Sequence, residues 1–186
     1  MHTPLIDLSI YVSALFAPEV VALLCAFLIV IAWSIAFLRH IPIRHIFHQH
    51  VSSGIKTCFL IVGSTGIATF LSQTIKHIYK IPRPVDMLVM ETGYRFPSGH
   101  ATVSTAFFVA LIVSMYVFYS TSALPVKRFV TSLSILLIIG VSSSRLVLHV
   151  HKPIDVICGV VLGLISVLIM VYIYKKNNTY EKIASK

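Results

Sequence analysis

Charge is scarce in this sequence. Only 11% of its 186 residues are Asp, Glu, Lys or Arg, against about a quarter in an ordinary soluble domain, and 57% are apolar. That balance excludes a soluble globular domain and makes the chain a membrane protein. Cysteine is scarce too. Cys25, Cys58 and Cys158 each stand alone in an apolar run, with no C-x-x-C pair, so they read as buried, inert thiols and say little about redox compartment. The N-terminus lacks the basic segment of a cleaved signal, and Pro18 directly follows the small-residue site; the first span is expected to stay in the mature protein. Neither an internal repeat nor a low-complexity linker divides the chain, which reads as one membrane domain over 1–186.

Long apolar runs are what it does have. A hydrocarbon layer of about 30 Å requires about 20 apolar residues in a helix, and five runs meet that length: about 19–38, 55–76, 100–120, 128–148 and 154–174. The segment upstream, "LIDLSIYVSALFA", is too short to span and carries Asp7, so it reads as a helix lying at the interface over 1–18; otherwise it completes a sixth span. The fold class expected is therefore all-α: an integral membrane bundle of five helices, or six, plus the N-terminal interfacial helix. Residues 175–186 form a basic tail, expected to fray.

The formal net charge of +9 could suggest a nucleic-acid partner, but its distribution argues against one. Threading five spans puts Arg39, Arg44, Lys56, Lys127, Arg128, Lys175, Lys176, Lys182 and Lys186 on one side. On the other lie Lys76, Lys80, Arg83, Arg95, Arg145 and Lys152, with Asp7, Glu19, Asp86, Glu91 and Asp155. Lysine and arginine are retained in the cytoplasm, so the first side, with the C-terminus, is expected there and the second faces the exterior.

Every unusual segment falls on that second side: "KHIYKIPRP", "RFPSGH" and "SRLVLHVHKPID". Ionisable groups within a membrane cost about 2.5–3.5 kcal/mol each on insertion scales, so their accumulation calls for a function. In "PSGH", Ser98 suits a helix N-cap and Gly99 permits close backbone approach, so free N–H groups and the helix dipole would face an anion. Alone the tetrapeptide is no more than a capped helix start. Lys76, Arg83 and Arg145 add cations, and an arginine holds two oxygens at once; any one of them could instead be snorkelling, but three with a helix start fit that poorly.

Pro153 suits the first turn of a helix, which puts Asp155 in that turn and His151 just before it. A carboxylate on one imidazole nitrogen fixes the tautomer and frees the other nitrogen to attack. His149 has no partner at matching spacing and is the weaker nucleophile. His100 alone would pass for a satisfied interfacial histidine.

In order, Lys76 and Arg83-Pro84 with six residues between them, Pro97-Ser98-Gly99-His100, and Ser144-Arg145 with His151 and Asp155 resemble the three signature motifs of the type 2 phosphatidic acid phosphatase superfamily, in its integral-membrane lipid phosphatase branch. The resemblance covers about 55–175, the expected catalytic core. It implies that His151 attacks phosphorus and becomes phosphorylated, that Asp155 orients it, and that His100 protonates the leaving oxygen and then activates water. Lys76, Arg83, Ser98, Gly99 and Arg145 match the phosphate-binding positions. Phosphoryl transfer needs mostly positioning and charge neutralisation, so neither metal nor other cofactor is expected.

The short chain resembles bacterial undecaprenyl-diphosphate phosphatases of that superfamily, which implies release of phosphate from a carrier lipid at the outer face of the cell membrane. Phosphatidylglycerophosphate, phosphatidic acid and lipid A phosphates present the same group, and a phosphotransferase would use the same site. A transporter would explain the spans but not the cations and histidines. The loop "RHIPIRHIFHQH", with His40, His45, His48 and His50, has no diagnostic metal spacing and reads as a basic loop against anionic lipid. Arg95 and Lys152 read as aids to a second phosphate or as solvated rim charges, and Asp86 and Glu91 as ordinary exposed loop residues.

Overall fold

The computed structural model describes residues 3–38, 53–119 and 122–184, and the regular elements among them are all α-helices. They are α1 (Pro4–Leu15), α2 (Pro18–Leu38), α3 (Ser53–Tyr79), α4 (Gly99–Val117), α5 (Leu124–Val147) and α6 (Pro153–Ala184). Each of the five expected spans falls on one helix, α2 to α6, and the expected N-terminal helix is α1. Five helical stretches are long and apolar enough to cross a membrane, the first running from Pro4 to Ile31 through the break between α1 and α2. Helix α6 continues to Ala184, so residues 175–184 are helical where fraying was expected. The histidine-rich basic loop lies outside the described residues.

Local chemistry accounts for the helix ends. Thr3 caps α1 by accepting from the Ile6 N–H, with Pro4 at the first position, where proline's missing donor is not needed. Lys80 and His149 follow α3 and α5 in the left-handed region, with φ of 47° and 55°; a left-handed residue terminates a helix and redirects the chain. At the start of α6, the Asp155 carboxylate accepts from the Lys152 N–H at 2.8 Å, the return half of a capping box.

Helices α3, α4 and α6 pack on one another at the centre, α5 lies against α4, α1 against α5, and α2 against α3. Alongside an apolar core, the bundle buries small polar side chains and turns large apolar ones outward. Ser64, Thr102, Ser104, Thr105, Ser114 and Ser166 are buried, while Phe70, Phe129, Leu136 and Leu168 are exposed, the pattern of a bundle whose solvent is lipid. Helix α1 shares it, with Ser9 and Ser13 turned inward and Leu5, Leu8, Tyr11 and Leu15 outward.

Two glycines set the approach of α6 to α4. A Cβ on Gly159 would lie 2.7 Å from the Ser98 carbonyl oxygen, and one on Gly163 would lie 2.6 Å from that of Thr102. Both neighbours are backbone and cannot swing away, so this small-residue spacing lets the helices touch. The contact draws the start of α6 onto the start of α4, where the Ser98 N–H donates to the Asp155 carbonyl oxygen at 3.0 Å.

Candidate active site

Four helix termini meet at one end of the bundle: the ends of α3 and α5 and the beginnings of α4 and α6. The junction of α1 and α2 joins them around a cavity of about 670 Å³ lined by Lys76, Arg83, Glu91, Gly99, His100 and His151, among others. The three motif segments, far apart in sequence, are thus brought together. Lys56, Lys127, Arg128, Lys175 and Lys176 lie toward the opposite ends of their helices.

Lys76 sits in the last turn of α3, nearly buried, and its Nζ donates to the Tyr94 carbonyl oxygen at 2.6 Å. Arg83 is anchored by its Nε to the Thr92 carbonyl at 3.2 Å and by Nη1 to the Val150 carbonyl at 3.3 Å. Arg145 is wholly buried in the last turn of α5; its Nη1 donates to the Ser13 hydroxyl and its Nη2 to the Glu91 carboxylate. A buried guanidinium requires such partners.

Glu91 closes the arrangement. Its Oε2 lies 3.0 Å from Arg83 Nη2, while its Oε1 pairs with Arg145, so one carboxylate bridges both arginines. Burial alone would raise the Glu91 pKa, but Arg145 and Arg83 outweigh it and hold the carboxyl below its usual range. The expectation of an ordinary exposed loop acid is corrected for Glu91 and holds for Asp86, whose side chain is 69% exposed at the rim. A carboxylate held by two guanidiniums occupies donors that a phosphate would need.

Ser98 stands at the N-cap position of α4, but its side chain makes no capping hydrogen bond. Its buried Oγ has no partner among the described residues. Gly99 begins α4 on the cavity wall; a Cβ there would make only ordinary contacts, 3.9 Å from Lys76 Cε and 3.8 Å from Pro18 Cγ, so no protein neighbour demands glycine. His100 also lines the cavity, its Nε2 3.5 Å from the Ser13 hydroxyl.

His151 is buried and lines the cavity. Burial first, then the charges of Arg83, Arg145 and Lys76 and the neighbouring His100, hold its pKa well below the usual histidine range. The imidazole is therefore neutral near pH 7 and keeps a lone pair. Its Nδ1 lies 3.7 Å from Asp155 Oδ2, beyond hydrogen-bond length, and has no other partner among the described residues. Asp155 instead receives Arg95, whose Nη1 lies 2.6 Å from both carboxylate oxygens. His149 is on the rim, half exposed, with its Nδ1 3.1 Å from Asp86, a partner the sequence spacing did not suggest.

The roles of three residues of this site escaped the sequence reading. Ser13 carried one faint signal: with Ser9 it forms a polar pair four residues apart in a largely apolar helix. Glu91 carried none, since a loop acid eight positions from Arg83 matches no pattern and Arg145 lies 54 positions away; Arg95 stood beside a motif, but its partner Asp155 lies 60 positions away. Arg95 is neither a solvated rim charge nor a wall of the cavity; Lys152 is exposed.

The model of the PAP2 superfamily matches residues 57–179. No curated protein sequence matches the chain. Among solved structures, it is similar to the "Crystal structure of the first transmembrane PAP2 type phosphatidylglycerolphosphate phosphatase from Bacillus subtilis". That likeness has a TM-score of 0.67 and 21% identity, over 95% of this chain and 80% of the other, and at this identity it speaks for the fold. The fold and the five apolar stretches make the protein a multi-pass membrane protein. With that model matched over more than half of its length, and all three motif segments gathered at one cavity, the chain belongs to the PAP2 superfamily.

Proposed function

We propose that the protein removes phosphate from a lipid phosphate or diphosphate through a phosphohistidine at His151, without a metal ion. The observation that carries this reading is the meeting of Lys76, Arg83, His100 and His151 at one cavity, with Arg145 behind Glu91. The neutral His151 attacks phosphorus with Nε2, the bond from phosphorus to the lipid oxygen breaks, and His100 gives that oxygen a proton. Asp155 steers the Nδ1 side of His151. His100 then takes a proton from water, whose oxygen attacks phosphorus; the P–N bond breaks and phosphate leaves. Lys76, Arg83, Arg145, the Ser98 hydroxyl and the N–H groups at Gly99 hold the phosphoryl oxygens and offset their charge.

The substrate is amphiphilic. An apolar groove of about 420 Å³ between α2 and α3 shares Pro18 with the catalytic cavity, so a head group in one can have its tail in the other. Undecaprenyl diphosphate, hydrolysed at the exterior face of the cell membrane with the C-terminus in the cytoplasm, is the lead substrate, and the lysine and arginine distribution supports that sidedness. Phosphatidylglycerophosphate, the lipid for which the similar Bacillus subtilis phosphatase is named, is the second. The test is phosphate release by purified protein across a panel of lipid phosphates in EDTA, with His100→Ala and His151→Ala alongside. Hydrolysis lost in both variants is expected; strict dependence on added divalent metal, or a phosphorylated acceptor in place of free phosphate, contradicts the reading.

A further inference from the structure

The Asp155 carboxylate is wholly buried and has more claimants than the triad arrangement requires. Arg95 Nη1 lies 2.6 Å from each of its oxygens, and the Lys152 N–H donates to Oδ2 at 2.8 Å. His151 Nδ1 stands off at 3.7 Å. A buried carboxylate stripped of its cation is costly, so the ion pair with Arg95 holds this one in place. Arg95 is itself fixed at its backbone, where its N–H donates to the Ile81 carbonyl oxygen at 3.0 Å. One residue thereby joins the loop of Arg83, the approach to Ser98 and the first turn of α6. It does not line the cavity, which separates it from Lys76 and Arg83.

We propose that Arg95 is a positioning residue for the nucleophile: it fixes the Asp155 carboxylate at the distance and angle from which that carboxylate steers His151. The inference rests on the phosphohistidine reading above. Arg95 also shares the carboxylate's charge, so the aspartate stabilises a protonated His151 less than an unshared one would, and the imidazole keeps its lone pair. On phosphoryl transfer the imidazole gains positive charge, and Asp155 closes the remaining gap while its other oxygen stays on Arg95.

The experiment is steady-state kinetics in mixed micelles, with one lipid phosphate that the wild type hydrolyses, for Arg95→Gln, Arg95→Lys, Asp155→Asn and the double variant Arg95→Gln/Asp155→Asn. Arg95→Gln is expected to lower kcat about 100-fold, the scale of a misplaced catalytic group, with KM within about twofold because no phosphate contact is lost. Arg95→Lys keeps the charge on a single nitrogen, as Nη1 alone meets both oxygens here, but on a differently shaped stem, and is expected to recover kcat to within about tenfold of wild type. In the Asp155→Asn background Arg95→Gln is expected to cost less than about threefold, since no carboxylate remains to hold. If Arg95→Gln does not fold, the double variant, which removes both buried charges, and Arg95→Lys carry the same test. A raised KM with unchanged kcat in any Arg95 variant, or full additivity with Asp155→Asn, overturns the proposal. Turnover that survives His151→Ala overturns the nucleophile and this inference with it, whereas turnover that needs His151 but ignores Arg95 overturns Arg95 alone.

Discussion

The Glu91 carboxylate is ion-paired with the wholly buried Arg145, and its second oxygen holds Arg83 at 3.0 Å. The two arginines offered by the motifs are thus already joined by an anion from the protein itself. A phosphate entering between them has to displace Glu91, which competes from within the same molecule at high effective concentration.

Glu91→Gln is therefore expected to tighten competitive inhibition by vanadate, a phosphate analogue, by about tenfold, roughly the worth of one partly buried ion pair. Inhibition constants for the two proteins check this. Weaker inhibition in the variant would show that Glu91 braces the arginines for phosphate.

The two histidines of the "HVH" stretch are expected to behave oppositely. His151 is buried on the cavity wall and His149 is on the rim beside Asp86. His151→Ala should lower kcat by at least about 1000-fold, as loss of a nucleophile does, while His149→Ala should stay within about threefold. Comparable losses in both would contradict the assignment of roles.

Acid should destabilise the fold through His151. Its pKa is lowered in the folded protein, so below about pH 6.5 the unfolded chain takes up a proton that the folded one refuses, and stability falls with pH. Glu91 adds to this from lower pH: its folded pKa is lowered, so its contribution is present above about pH 4.3 and lost as pH falls through the folded value. Thermal unfolding midpoints in detergent should be lower at pH 5 than at pH 8, and His151→Asn should flatten that difference. An unchanged slope in the variant would place the acid sensitivity elsewhere.

Helix contact supports the site from behind. Gly163→Val places side-chain carbons against the Thr102 carbonyl, where even a Cβ would lie at 2.6 Å. It should lower stability by about 1–3 kcal/mol, as overpacking does, seen as a lower unfolding midpoint. Gly66→Ala, whose Cβ would meet nothing within 4 Å, should be neutral or slightly stabilising. Equal losses in both would remove the close α4–α6 approach as the cause.

The helices were legible because lipid imposes a length and a polarity that each run displays by itself, and residues 19–38 needed nothing else to be read as α2. Lys76, Arg83, Arg145, His151 and Asp155 were legible for a related reason: charge and imidazole are out of place beside apolar runs, and their spacing is local; His100 was legible only through the resemblance to the family's motifs. Ser13, Glu91 and Arg95 were not. A serine in a helix, a loop glutamate and an arginine near a motif are ordinary in sequence, and contacts across 132, 54 and 60 positions make them part of the site. The hydrogen bond expected between His151 and Asp155 was legible as proximity only; Arg95, whose pairing with Asp155 no local pattern displays, draws the carboxylate to itself.

The central claim is that the His151 imidazole takes the phosphoryl group. Rapid quenching of the enzyme with a ³²P-labelled lipid phosphate, followed by peptide mapping, tests it most directly. The account requires an acid-labile, base-stable label on His151, absent from His151→Ala and retained longer in His100→Ala, where no base activates water. Label on another residue, or full turnover with the label absent at every time point, would contradict it.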